Sequence, residues 1–544
     1  MPDAAYDAII VGGGNKGLAL AMYLTKYGGM SVALFEKRHE AGGGWCTDEG
    51  PAPGFLADYH GTAVGVLHHP TLQRDFPEWD EWGGSRYNEV MGTGAIFKED
   101  DSCIILYNRK IDRSQEKTMK SISQLSARDA ETWANFQKKL GKLFMPAELE
   151  WCCNPPPPVD KLDAMDRLLT NPETGFDPSW AVKSPLDVFR DCFESEAFCS
   201  FLGRLNQSNL GISPDCVGTG AISLLLCLSW LAPRTAGLEG GTHSYAHVAA
   251  KIVLANGGKI FTEHEVERVI IENGAATGVK LVDGTEVKAR KFVVSTLDPY
   301  NLCFRLIGRE HLPWRLARRV EGIERRMTCL TWYTWALHEQ PNYIAAQNNP
   351  DINKIFCLSL TSKDPEAIVR ERALRMLGKN PDELELTIIN HSLTDHTRKP
   401  EGKACLLTEQ FVVPADALNE KQWLEYKKKH AQQVVDMLKK HTRNFNWDNV
   451  IGYTPMSPPD ICHNLNMAPT GNWAVIDNTG SQIGKYRPIP ELARHRTPIK
   501  NLYATGSAWH PWGFAGSYQS YNCYKIIGED FGLRKPWVEK NLPY

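Results

Sequence analysis

"YDAIIVGGGNKGLALAMYLTKYGGMSVALFEKR" (Tyr6 to Arg38) reads as strand, tight turn, helix and second strand. Ala8 to Val11 form a short apolar run of the kind buried on both faces of a parallel sheet. Gly12, Gly14 and Gly17 follow as G-x-G-x-x-G. The first glycine permits the tight turn, the second lets backbone approach a pyrophosphate, and the third lets helix and strand pack closely. Small and apolar residues from Leu18 to Leu24 suit a helix buried against a sheet, whose first amides, around Asn15 and Lys16, would face the phosphates. "SVALFE" is the next strand. It ends at Glu36, beside Lys37 and nineteen residues after Gly17. A carboxylate there accepts hydrogen bonds from a ribose diol and would repel a 2'-phosphate. These features agree with one another, so the stretch predicts a Rossmann-type dinucleotide site in an α/β protein.

At 544 residues the chain has room for one or two large domains. A formal net charge of -3, with no basic stripe, argues against a nucleic-acid partner. The opening "MPDAAYDAIIVGGG" has no basic segment, apolar core or cleavage site of a secretion signal, which points to the cytoplasm. The longest apolar run, "AISLLLCLSWLA" (Ala221 to Ala232), is too short to span a bilayer, although it offers a place for peripheral membrane contact. Fourteen cysteines show no C-x-x-C spacing and read as buried thiols in a reducing compartment. His243 and His247 share a helix face without a third ligand, so no metal site is expected.

Two further blocks return to the dinucleotide theme. After Glu36, "GGGWCTDEG" (Gly42 to Gly50) supplies a second close backbone approach at Gly43, Gly44 and Trp45, as an extended FAD requires. From Gly240 to Pro299, a helix ending at Gly257-Gly258 precedes alternating strands punctuated by "ENG" and "VDG". Near the end, "RTPIKNLYATGSAWHPWGFAGSYQSYNCYKIIGED" combines a strand, a glycine- and aromatic-rich turn and a helix start. "MGTGAI" and "VGTGAI" lack a preceding strand and a terminal acid, so a second, nicotinamide-binding domain is not expected.

In this order and spacing, the three blocks resemble the phytoene desaturase and carotenoid isomerase-like flavoproteins, a group that includes the pyridine nucleotide-disulfide oxidoreductase domain 2 proteins. The resemblance implies FAD as cofactor and a discontinuous Rossmann-type FAD-binding domain built from residues 1–89, 240–299 and 495–544. It also implies a mixed α+β substrate domain, its first part (90–239) mostly helical and its second (300–494) sheet plus helices. Val266 would meet the adenine through its backbone. Gly506 and Ser507 would lie beside the ribityl or pyrophosphate, and Phe514, Ala515 and Gly516 would form the opposite wall before a helix starting near Ser517.

The same resemblance places four candidate proton-transfer groups near the flavin: His60 and Tyr59 in "GFLADYHGTAVGV" (Gly54 to Val66), and His510 and Tyr518 in the closing block. Many relatives carry a small residue in the place of His60. An imidazole there points to acid/base chemistry on a molecule smaller than a long polyene. The expected activity is oxidation or reduction at a carbon–carbon bond of a small to medium, largely apolar or unsaturated substrate, by hydride transfer with flavin N5. Alternatives are a redox-neutral hydratase or isomerase of a C=C bond needing reduced FAD, a flavin amine oxidase, disfavoured by Trp45 where an arginine is usual, and a non-catalytic flavin-binding scaffold.

Overall fold

The computed structural model describes residues 4–62, 69–230, 236–467 and 469–544. The tail of "GFLADYHGTAVGV" beyond Thr62 therefore lies outside the described residues, as does the end of "AISLLLCLSWLA". Two seven-stranded sheets organise the chain. The first places strands in the order Val266–Glu272, Ala275–Leu281, Glu286–Ser295, Ala5–Val11, Val32–Phe35 and Lys259–Phe261, with Leu502–Ala504 also pairing with Glu286–Ser295.

The long strand Glu286–Ser295 shows how local sequence sets this arrangement. Its first half, EVKARK, alternates exposed and buried residues where it pairs antiparallel with Ala275–Leu281. Its second half, FVVS, is wholly buried because it runs parallel between two neighbours, with Val293 opposite Ile9 on one side and Leu502 on the other. Segments almost five hundred residues apart thus share one buried sheet.

Helix Asn15–Lys26 is buried along nearly its whole length, between helices His243–Ala255 and Tyr518–Phe531. Such close packing needs Gly17, where a Cβ would sit 2.1 Å from the Gly12 carbonyl oxygen.

The second sheet runs Val450–Met456, Leu330–Leu337, Ala404–Phe411, Leu386–Ile389, Cys357–Thr361, Gly92–Phe97 and Cys103–Tyr107. Its last two strands come from the stretch expected to be mostly helical, and "MGTGAI" forms part of one of them. Glycines at 92 and 94 hid that strand in the sequence, yet a Cβ at either would meet a carbonyl of the neighbouring strand. Tyr333, Trp335 and Leu337 pack with Val434, Val435 and Leu438 of helix Glu420–His441 behind the sheet. The alternate residues Leu330 and Trp332 face the other way.

Helices including Met145–Cys152, Glu196–Leu210 and Gly220–Trp230 roof that other face. In the last of these, Leu224, Leu225, Leu226, Cys227 and Leu228 are all buried, so the surface considered for membrane contact is interior. Among the described residues, no helix is long and apolar enough to cross a membrane. All fourteen cysteines are free thiols, none of them exposed.

Gly17→Ala is expected to lower stability by about 2–3 kcal/mol through forced overpacking. Its denaturation midpoint, compared with the parent protein's, checks this, and an unchanged midpoint contradicts the backbone contact at Gly12.

Candidate functional site

A cleft of about 1480 Å³ runs along the carboxyl ends of the first sheet's parallel strands. Gly12, Gly14, Asn15 and Lys16 line it from the first turn, Glu36 and Lys37 from the second strand, and Val266 from the antiparallel edge. Gly43, Gly44, Gly506, Ser507 and Ala515 complete it, with His60 at one end. No side chain caps helix Asn15–Lys26, and its first turn carries no acid, so its amides remain available to an anion. Gly14 bridges to Gly42, and a Cβ on Gly43 would come 2.9 Å from the Gly14 Cα, so the two glycine turns lie backbone against backbone. Glu36 Oε2 accepts from the Gly13 amide at 2.8 Å and Oε1 from the Arg38 amide at 2.9 Å, which fixes the carboxylate at the cleft wall.

The closing segment is tied to the opening one by four hydrogen bonds. Lys16 Nζ donates to the Phe514 carbonyl, Asn15 Nδ2 to the Ala515 carbonyl at 3.0 Å, Trp45 Nε1 to the same oxygen at 3.1 Å, and Ser520 Oγ to the Lys16 carbonyl at 2.7 Å. Burial, reinforced by Arg487, pulls the Lys16 ammonium down to about 7. Among the described residues it has no carboxylate partner.

A second cavity of about 970 Å³ lies between the second sheet and the helical roof, and it shares His60 and Ala515 with the cleft. Part of the His60 ring is accessible, but to these interior spaces; burial holds it neutral, with its pKa lowered to about 4. Its Nε2 lies 3.0 Å from the Trp473 carbonyl. A carbonyl only accepts, so Nε2 carries the proton and Nδ1 presents a lone pair. That Nδ1 is buried against Gly44 without a partner among the described residues. The orphaned acceptor, the buried ammonium, the uncapped helix and the glycine cradle together fit an extended anionic dinucleotide with a polar ring system at the His60 end.

The other candidates are placed differently. Tyr518 and Phe514 line the second cavity, Phe514 there rather than in the cleft where it was expected. Tyr59 lines neither cavity, and its hydroxyl lies against Gly50 and Thr454. His510 also lines neither. Its Nε2 donates to the Trp151 carbonyl at 2.7 Å, at the end of helix Met145–Cys152, and its ring meets Trp151 edge-on at 5.2 Å. It therefore anchors the roof. Gly17, Trp45 and Gly516 sit behind the cleft wall. The sequence reading missed Trp332, Thr387 and Glu409, which form the cavity floor, and His264, Thr296 and Asn301 in the cleft. A glutamate in the otherwise buried strand "ACLLTEQF" was the available signal for Glu409.

Sequence comparison agrees with this geometry. The sequence model of the NAD(P)-binding Rossmann-like domain family matches residues 10–76. A limonene dehydrogenase subunit from Castellaniella defragrans is 24% identical, over 98% of this chain and 96% of its own. Pyridine nucleotide-disulfide oxidoreductase domain-containing protein 2 of Rattus norvegicus is 26% identical, over 96% and 94%. The chain is thus similar to phytoene desaturase-like oxidoreductases along nearly its whole length. An oxidoreductase from Methanosarcina mazei shares the fold, with a TM-score of 0.62 at 15% identity over 96% of this chain and 99% of that one. The protein is an enzyme, and its cofactor is FAD.

Lys16 gives the site a pH signature. Without an anion it titrates near 7, and a bound anion favours its charged form. Above that pH, FAD uptake must bring a proton with it, so affinity falls by up to about tenfold per pH unit toward the normal lysine range. Lys16→Met is expected to bind FAD more weakly at pH 7 and with little change from pH 7 to 9, as read by fluorescence titration of the apoprotein.

Proposed function

We propose that this oxidoreductase acts at a carbon–carbon bond of a small to medium, largely apolar or unsaturated substrate held in the second cavity. The observation that carries the reading is the shared wall: His60 and Ala515 belong to both the cofactor cleft and a cavity walled by Leu330, Ile389, Trp473, Trp512 and Phe514. A substrate there lies against the cofactor's ring end and is screened from water by the helical roof. The limonene dehydrogenase relative supports an unsaturated hydrocarbon-like skeleton.

In this reading FAD is held by Gly12, Gly14, Asn15 and Lys16 at its phosphates, by Glu36 and Lys37 at its sugar, and by Val266 at its adenine end. Gly43, Gly44, Gly506, Ser507 and Ala515 embrace the remainder. Bound FAD supplies two-electron chemistry, exchanging hydride at N5. The protein supplies orientation, exclusion of water and a proton acceptor. His60 Nδ1 is the acceptor, with Trp473 holding the ring in the required tautomer. Tyr518 stacks near Phe514, with ring centroids 5.5 Å apart, and shapes the cavity. We further propose that the enzyme works in the cytoplasm.

Anaerobic mixing with unsaturated terpenoids tests the reaction class. Substrate-driven bleaching of the flavin supports it, whereas turnover seen only with pre-reduced flavin and no acceptor points to redox-neutral chemistry instead. His60→Ala is expected to slow bleaching by roughly 10²-fold or more when rates are compared per bound FAD. Because burial keeps His60 neutral, the parent enzyme's bleaching rate is expected to show no break near pH 6.5. Such a break, absent from His60→Ala, shows that the imidazole titrates in the neutral range and contradicts its buried neutrality, whereas a His60→Ala rate equal to the parent's overturns the assignment.

A further inference from the structure

Resting on that reading, we propose that Glu409 is the polar recognition point of the substrate cavity and that the substrate bears one neutral hydroxyl group on its apolar skeleton. Three adjacent strands of the second sheet place Trp332, Glu409 and Thr387 directly opposite one another, in one row facing the cavity. Glu409 is only 6% exposed. Its Oε1 accepts from Trp332 Nε1 at 2.7 Å, and its Oε2 has no partner among the described residues. Beside it the Thr387 hydroxyl is also buried without a partner among those residues. Burial lifts the Glu409 carboxyl to about 7 despite the indole donor and the Arg204 guanidinium, both of which favour its charged form.

The surrounding charges decide between ligand chemistries. Lys98 pairs with Glu385, and Arg375 lies 3.7 Å from Glu371. Arg204, fully buried with Nε and Nη2 unpartnered among the described residues, remains as the countercharge to Glu409. The carboxylates behind this wall are thus matched by cations, so Glu409 already has a countercharge in Arg204 and does not call for a cationic ligand. A plain hydrocarbon would seal Glu409 Oε2 from water with nothing to bond. A hydroxyl satisfies it by donating to the carboxylate. Trp332 links this end of the cavity to the other, since its ring lies 5.6 Å from that of His60.

The test uses the FAD-loaded enzyme and three probes on one carbon skeleton: limonene, perillyl alcohol and perillylamine. Binding is read by anaerobic calorimetric titration. The parent enzyme is expected to prefer the alcohol to both others by about tenfold or more. Glu409→Leu should erase that preference, and Glu409→Gln, which keeps an acceptor oxygen, should retain most of it. Glu150→Gln, altering an exposed carboxylate on the same roof helix that lines neither space, should leave it unchanged. The proposal is overturned if limonene or perillylamine binds the parent enzyme as tightly as the alcohol, or if none of the three binds. It is equally overturned if the preference survives Glu409→Leu or disappears in Glu150→Gln. A parent protein that takes up no FAD sinks the cofactor reading instead, so the two failures are told apart at the loading step.

Discussion

A buried ammonium joins the two ends of this chain. Lys16 sits in the first turn of the first helix and donates to the carbonyl of Phe514, while Ser520 donates back to the Lys16 carbonyl. A cation this deep is expensive to bury unless something compensates it. The Phe514 carbonyl offers partial compensation, and the cleft beside it is shaped for an anion. The contact that closes the fold is therefore also one that an anion in the cleft would improve.

From that junction the site is assembled by layers. The first sheet gives the cleft its glycine turns and its carboxylate, because parallel strands end together and leave a crevice at their carboxyl edge. The second sheet provides a floor of alternating side chains and the helices provide the roof. His60 stands where all three meet. Its neutrality follows from burial, and its tautomer follows from the Trp473 carbonyl. The Nδ1 lone pair is thereby present throughout the neutral pH range.

The cofactor half of this arrangement was largely legible in the sequence, because its signals are local. Gly12, Gly14, Gly17 and Glu36 lie within one strand–helix–strand unit, and each is dictated by a turn, a close approach or an acid at a strand end. The substrate half was not, for a geometric reason. Trp332, Thr387 and Glu409 become a surface only through strand register, and register between distant strands is not written in any one of them. The two adjacent candidates Tyr59 and His60 separated because they lie in the bend that follows strand Leu56–Asp58, where the chain turns one side chain toward Thr454 and the other toward the Trp473 carbonyl. His510 misled by position: it lies between Ala508, which lines the cleft, and Trp512, which lines the cavity, while its own ring turns into the roof to reach the Trp151 carbonyl. The strand Gly92–Phe97 was missed because glycines that permit close strand approach read as loop.

The loop at residues 472–487 makes the two halves interdependent. Its Trp473 carbonyl fixes His60, and its Asn478 accepts from the Gly513 amide at 3.2 Å. Within it, Arg487 is completely buried and donates to the Gln482 carbonyl at 2.8 Å, the Ala474 carbonyl at 3.1 Å and the Ser507 carbonyl at 2.9 Å. Burial lowers this guanidinium to about 9, with Asp477 opposing the shift. A planar fork whose two terminal nitrogens donate to backbone carbonyls holds several chain segments in one geometry, which a flexible ammonium does less well. Ser507 lies in the cleft wall and Trp473 in the cavity wall, so the same guanidinium ties the wall of one space to the loop that lines the other. The spacing of the two walls on either side of the His60 imidazole therefore rests on backbone carbonyls rather than on any side chain that lines the cavity.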